Sequence, residues 1–329
     1  MKKTIYLLLL TSILVFANEK PTLTVYTYDS FAASWGPAPK IKKAFEKTCD
    51  CNIKFLGVAS SISTLRKIQL EGKRTKADVL LGLDTAIAQV AKDTNLFSPH
   101  GLDTSIIDLP IEYNDDTFVP FDYGTFAFVY DEEKLKNVPN SFEALVSMPE
   151  DFKIVIQDPR SSTSGLGLLL WVKSVYGDKS ADYWKRLSPH ILTISKGWSE
   201  SYNLFLKGEA DMVLSYTTSP AYHMVEENKY NIKSVVFKEG HYGQIEVAAI
   251  VKSSKQKELA KKFLKFLYSK EFAQIIPTAN WGYPVIKGVK LHEAFSKLHK
   301  PKEFILMDGK EVQEKRKAII NEWLNAVQK

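Results

Sequence analysis

Residues 23–81 alternate short apolar runs with amphipathic stretches in a β-α-β-α-β order, and this rhythm constrains the fold more than any other feature of the chain. LTVYT at 23–27 is β-rich. Pro37 and Pro39 then open a helix with Ile41, Ala44 and Phe45 on one face, since proline is tolerated in a first helical turn. The spacing predicts a strand over 52–58, a helix over 61–71 and a strand over 77–81. Such a doubly wound α/β lobe binds ligands at the carboxyl ends of its strands, where Tyr28, Ser60, Ser61 and Asp84 fall. Asp84 also precedes a helical stretch, so capping is its simpler role.

The chain is too long for one core. A basic start (Lys2, Lys3), apolar runs at 5–10 and 13–16, and Val15-Phe16-Ala17 predict a secretory signal peptide over 1–17, cleaved after Ala17. Of 329 residues, 312 then remain, which favours two lobes. No other stretch is long and apolar enough to span a membrane. Residues 118–130 (FVPFDYGTFAFVY) read as two strands divided by Asp122-Tyr123-Gly124, with the glycine permitting unusual backbone angles. They mark the first crossing between lobes, and a strand over 244–251 is the return. The expected division is 18–123 with about 252–300 as one lobe and 124–251 as the other. A helix over 311–327 lies in a C-terminal segment, 301–329, that the sequence assigns to neither lobe.

Two stretches of the second lobe carry candidate binding chemistry. In DPRSSTSGLGLLLW, starting at Asp158, Ser161, Ser162, Thr163 and Ser164 precede an apolar helix; hydroxyls and free backbone N–H groups there suit a phosphate or carboxylate, and Arg160 could add a charged contact. Capping by one serine is the plainer alternative. Residues 196–223 collect Trp198, Tyr202, Tyr216 and Tyr222 around a short strand and a turn at 217–220, and Trp281 sits on a glycine-and-proline loop over 278–284. Aromatic faces on a fixed rim suit a flat or cationic organic ligand, at ~0.5–2 kcal/mol per well-placed contact.

Motifs for chemistry are missing. The chain contains no G-x-S-x-G, H-E-x-x-H or G-x-x-x-x-G-K-[ST], and Ser254 with Lys257 matches S-x-x-K only in a lysine-rich helix start. The six histidines lack metal-ligand spacing; only His223, beside Tyr222, falls in a plausible site. The formal charge of +6 drops to +4 without Lys2 and Lys3 and is spread along the chain, so nucleic acid is not an expected partner. Cys49 and Cys51 either bridge across one residue or remain free thiols.

The segments TVYTYDSFAASWGP, KADVLLGLD, DTFVPFDYGTFAFVYD, QDPRSSTSGLGLLLW, KGWSESYNLFLKGEADMVLSYTTSPAYH and PTANWGYPV occur in order along the mature chain, and together they closely resemble the periplasmic thiamine-binding proteins of ABC importers. The resemblance implies a two-lobed type II periplasmic binding fold, each lobe a mixed sheet flanked by helices. It implies thiamine, thiamine monophosphate or thiamine diphosphate as ligand, no cofactor, and an inner-membrane permease as partner. Carried onto matching positions, Tyr222 and Trp281 sandwich the aminopyrimidine; Trp198, Tyr28 and Trp35 surround the thiazolium and linker; Ser162 and Tyr216 receive the phosphate. Ala59, Ser60 and Ser61 depart from the acidic residue and glycine that the family often has there. A monomeric, non-enzymatic, periplasmic carrier is expected. The alternatives are a ferric-ion or other anion carrier of the same fold, in which tyrosines and His223 would hold iron, and an exported hydrolase, which no motif supports.

Overall fold

A computed structural model describes residues 19–327. The signal peptide expected over 1–17 lies outside the described residues. The opening rhythm folds as a parallel unit: β1 (Thr22–Tyr28) pairs with β2 (Asn52–Val58) on one side and β3 (Val79–Asp84) on the other. Helices Ala38–Glu46 and Ser61–Glu71 make the crossovers. All six residues of β3 are buried, as a parallel strand covered on both faces requires. β3 starts later than the pattern predicts because Asp78 serves as a tether instead, accepting from the Thr24 backbone N–H at 2.8 Å and from Ser254 Oγ at 2.6 Å.

The remaining strands are β4 (Phe97–Ser98), β5 (Val119–Asp131), β6 (Ile154–Gln157), β7 (Ile191–Ser195), β8 (Met212–Tyr216), β9 (Ile232–Ser234), β10 (His241–Val251), β11 (Tyr283–Pro284) and β12 (Phe304–Ile305). Their main path runs β2-β1-β3-β10-β5-β8-β6-β7. The two runs expected over 118–130 are one continuous strand, β5, and Gly124 is not among the residues with positive φ. Asp122, Tyr123 and Gly124 stay in the ladder opposite Glu246, Ile245 and Gln244, and the register shifts beside them, where Val247 already faces Pro120. A local bulge therefore replaces the break, bending the strand without ending it. The first part of β5 pairs with β10 and its second part with β8 and β9, so this strand carries the chain from one half of the molecule to the other.

Helix Thr163–Tyr176 is buried over its first ten residues, 163–172, and needs two glycines to fit. A Cβ at Gly167 would lie 2.0 Å from the Phe126 ring, and one at Gly165 would lie 2.3 Å from the Gln157 carbonyl oxygen. The helix start is thereby pressed against the end of β6. Its far side joins an aromatic cluster in which Phe142 meets Trp171, Tyr183 and Phe237 at 4.7–5.3 Å between ring centroids.

The C-terminal helix, Gly309–Val327, belongs to neither half alone. It packs on Ser180–Leu187 and Thr163–Tyr176 from one side and on Thr85–Ile87 and Ala88–Asp93 from the other. Val312 and Trp323 are its buried anchors, and Lys173 pairs with Glu322 at 3.1 Å. Cys49 and Cys51 are joined by a disulfide. Among the described residues no helix is long and apolar enough to cross a membrane.

Candidate functional site

Between the two halves lies a cleft of about 440 Å³. The carboxyl end of β1 brings Tyr28 to it, the loop after β2 brings Ser60 and Ser61, and the bulged part of β5 brings Asp122, Tyr123 and Gly124. The opposite half contributes Ser162, Trp198, Tyr202, Tyr216 and Tyr222, while Trp281 and Asn280 arrive on the loop before β11. Trp35 stands at its edge and is 58% exposed. Within the polar-aromatic segment Trp198 begins Trp198–Leu206, and the turn expected over 217–220 covers only Thr217 and Thr218, because Pro220 sits in the first turn of Ser219–Glu226.

The aromatic rings are held from behind. Trp198 stacks on Tyr202, with centroids 4.7 Å apart, and donates its indole N–H to Ser215 Oγ at 2.8 Å. The Tyr202 hydroxyl meets His223 Nε2 at 2.8 Å, and His223 Nδ1 meets Glu227 at 3.0 Å. With a carboxylate on Nδ1, that nitrogen carries the proton and Nε2 accepts from tyrosine. Burial pushes the His223 pKa down, so the ring is a neutral brace. His223 does not line the cleft, which removes it from the iron set considered above.

Tyr222 and Trp281 meet edge to face, with centroids 5.5 Å apart and planes at 89°. This leaves no slot for a third ring between them. Trp281 has φ of 60°, a left-handed conformation that is strained for a bulky side chain and that favours binding sites when it persists. Its backbone N–H is held by the Ile276 carbonyl at 3.0 Å.

At another part of the cleft two helix starts converge. Ser60 caps Ser61–Glu71 and its hydroxyl also donates to the Ser161 carbonyl, which joins the two halves. Ser162 is buried and caps Thr163–Tyr176, with its Oγ 2.9 Å from Ser164 Oγ. Two of the anticipated contacts fall elsewhere. Ser161 is not part of the lining and gives its hydroxyl to the Lys196 carbonyl at 2.9 Å. Arg160 is clamped to its neighbour Asp158 at 2.6 Å, so its charge is already answered locally. Asp84 caps the turn Thr85–Ile87, accepting from the Ala86 N–H at 2.6 Å, and is likewise outside the lining.

The sequence reading missed the cleft's acids. Asp122 and Glu246 are buried and directly opposed on β5 and β10. Asn280 Nδ2 donates to both, at 2.5 and 3.1 Å, and the Tyr28 hydroxyl donates to Glu246 at 2.8 Å. Burial pushes the Asp122 pKa up to about 7, and burial with the charge of Asp122 pushes Glu246 well above the usual range. Asp29 is the third acid of the lining, and among the described residues no Lys, Arg or His contributes to it. Single acidic residues within apolar strands (VPFDYG, QIEVAAIV) were the available signal. Stacked rings and acids without basic neighbours make a host for a flat organic cation, while the capped helix starts offer neutral donors to an anionic group.

This two-lobed sheet with a cleft at the crossing strands is a type II periplasmic binding fold, the architecture of a solute carrier. The family of bacterial extracellular solute-binding proteins matches residues 32–274, and the chain belongs to it. The chain is 52% identical over 327 residues to the thiamine-binding periplasmic protein of Escherichia coli (strain K12), covering 99% of both chains. It is 49% identical to the thiamine-binding periplasmic protein of Brucella suis biovar 1 (strain 1330), covering 94% of this chain and 93% of that one. A solved structure of a periplasmic thiamin binding protein superposes with a TM-score of 0.93 at 52% identity, covering 95% of this chain and 98% of the other.

Proposed function

We propose that this protein captures thiamine and its mono- and diphosphate in the periplasm and delivers them to the permease of an ABC importer, without catalysing a reaction. The observation that carries the reading is the cleft lining: Trp198, Tyr202, Tyr216, Tyr222 and Trp281 with buried acids and no basic side chain. Thiamine carries a fixed positive charge on a flat thiazolium and a flat, polar-edged aminopyrimidine. Aromatic faces and acids match the first, and stacking with the Asn280 and Tyr28 hydroxyl network matches the second. The Ser60 and Ser162 helix starts match a phosphate by neutral donors alone. The thiamine-binding periplasmic relatives support the same ligand.

In this reading residues 1–17 are the cleaved export signal, and the mature chain acts as a monomer. Residues 18–123 with about 252–300 form one lobe and 124–251 the other, and they close on the ligand. Tyr222 and Trp281 take the aminopyrimidine, Trp198, Tyr28 and Trp35 the thiazolium and linker, and Ser162 with Tyr216 the phosphate. The test is calorimetric titration of mature protein, unfolded and refolded to strip carried ligand, with thiamine, its two phosphates and ferric citrate. Tight one-to-one binding of the thiamine series is expected. A response to iron alone would overturn the assignment.

A further inference from the structure

Among the described residues the acid pair under the cleft has no cationic partner. Asp122 and Glu246 are register partners on adjacent strands, and both reach one amide, Asn280 Nδ2, so their carboxyl groups crowd a single point. Every group around them is neutral or acidic. Tyr28 faces them from β1, Gln244 lies 3.3 Å from Glu246 on β10, Tyr216 stands on β8, and Tyr123 with Tyr283 on β5 and β11. Asp84 on β3 is the register partner of Glu246 on its other side, and Asp29 follows β1. Two full carboxylates this close, in a buried site, repel strongly enough that one proton stays between them.

We propose that Asp122 and Glu246 share a proton in the empty cleft and lose it when a cationic ligand is bound, so that capture releases a proton and weakens in acid. The inference rests on the reading of the cleft as the site of thiamine's fixed cation. A carboxyl O–H bond breaks, the proton passes to solvent, and the carboxylate left behind faces the ligand's positive charge. A fixed cation about 6 Å away, at an effective dielectric constant of about 20, lowers the pair's affinity for its proton roughly a hundredfold. The raised pKa values of both groups agree with a proton that is present near neutral pH when the cleft is empty. Linkage then makes affinity for the cation fall toward tenfold for each pH unit below the empty pair's range, levelling off at about a hundredfold in all.

Calorimetry of the full mature protein with thiamine near pH 7, in two buffers of different ionisation enthalpy, counts the protons exchanged. Release of roughly 0.5–1 proton per thiamine is expected. Glu246→Gln should diminish that release, and a thiamine isostere whose second ring is uncharged should abolish it, a comparison that needs no variant; Asp122→Asn serves if the first variant does not fold. Thiamine binding with equal heats in both buffers would overturn the proton exchange and leave the ligand assignment intact. Undiminished release with Glu246→Gln or with the uncharged isostere would overturn the role of the pair or of the cation. Failure of folded protein to bind thiamine would overturn both readings.

Discussion

Trp198 and Tyr202 stand one helical turn apart with their rings 4.7 Å between centroids and 24° between planes. Side chains at i and i+4 share a helix face, so the helix itself assembles the stack before any ligand arrives. The Ser215 and His223 hydrogen bonds then fix each ring at its polar edge. A cation meeting this stack therefore loses little free energy to ordering its host. Trp198→Ala should weaken thiamine binding by ~1–3 kcal/mol, and Tyr202→Phe, which keeps the ring and loses only its brace, should cost less. Calorimetry of the two variants checks the order; a larger loss for Tyr202→Phe would mean the brace, not the ring face, governs affinity.

Tyr222 and Trp281 are in edge contact, so a sandwiched ring requires them to part. Either Trp281→Ala or Tyr222→Ala should weaken binding by ~1–3 kcal/mol, and unchanged affinity in both would remove them from the site. The left-handed backbone at Trp281 adds a second expectation. Trp281→Gly should unfold at higher denaturant than Trp281→Ala, by about 1 kcal/mol, because only glycine adopts that conformation freely.

Ser162 is buried at the start of Thr163–Tyr176, where free N–H groups and the helix dipole favour negative charge. Ser162→Ala should weaken thiamine monophosphate and diphosphate by ~1 kcal/mol more than thiamine. Titration of all three ligands against the variant decides this. Equal losses would place the phosphate elsewhere.

Local signals in this sequence are legible and long-range ones are not. Strand 52–58 and helix 61–71 were legible because alternation, the Ser60 cap and a run of apolar spacing agree there. β5 was read as two strands because Asp-Tyr-Gly looks like a turn; only pairing with β10 keeps those residues in the sheet. Arg160 looked free to meet an anion, yet Asp158 two residues earlier takes its charge. Asp122 and Glu246 passed unnoticed since a single acid in an apolar run has no local meaning until its opposite number arrives 124 positions later in the chain, read from 122 to 246. The straddling position of the C-terminal helix is of the same kind: its apolar stripe shows that it packs, not that it packs on both halves.

His241 supplies a pH test away from the cleft. It is fully buried, its Nδ1 meets the Phe126 carbonyl at 2.6 Å, and its Nε2 accepts the Phe237 N–H at 2.8 Å. Protonating Nε2 would set two N–H groups against each other without water, and burial accordingly lowers the pKa from 6.5 to about 4. The unfolded chain thus binds this proton more readily, so the stability that His241 contributes is complete above pH 6.5 and is lost as the pH falls toward 4. Asp84 and Asp122 act in the opposite sense: raised from 3.8 to about 7, each contributes stability that is complete below pH 3.8 and lost as the pH rises to about 7. The wild-type profile between these limits is a sum of opposing slopes, and a variant isolates one of them. His241→Gln should be less stable than wild type at pH 8, and the deficit should shrink by up to about 3 kcal/mol on approaching pH 4. Urea denaturation of both proteins at pH 4.5, 6 and 8 measures the difference, and a deficit that stays constant across the three would show that the ring does not remain neutral in the folded state for the reason given.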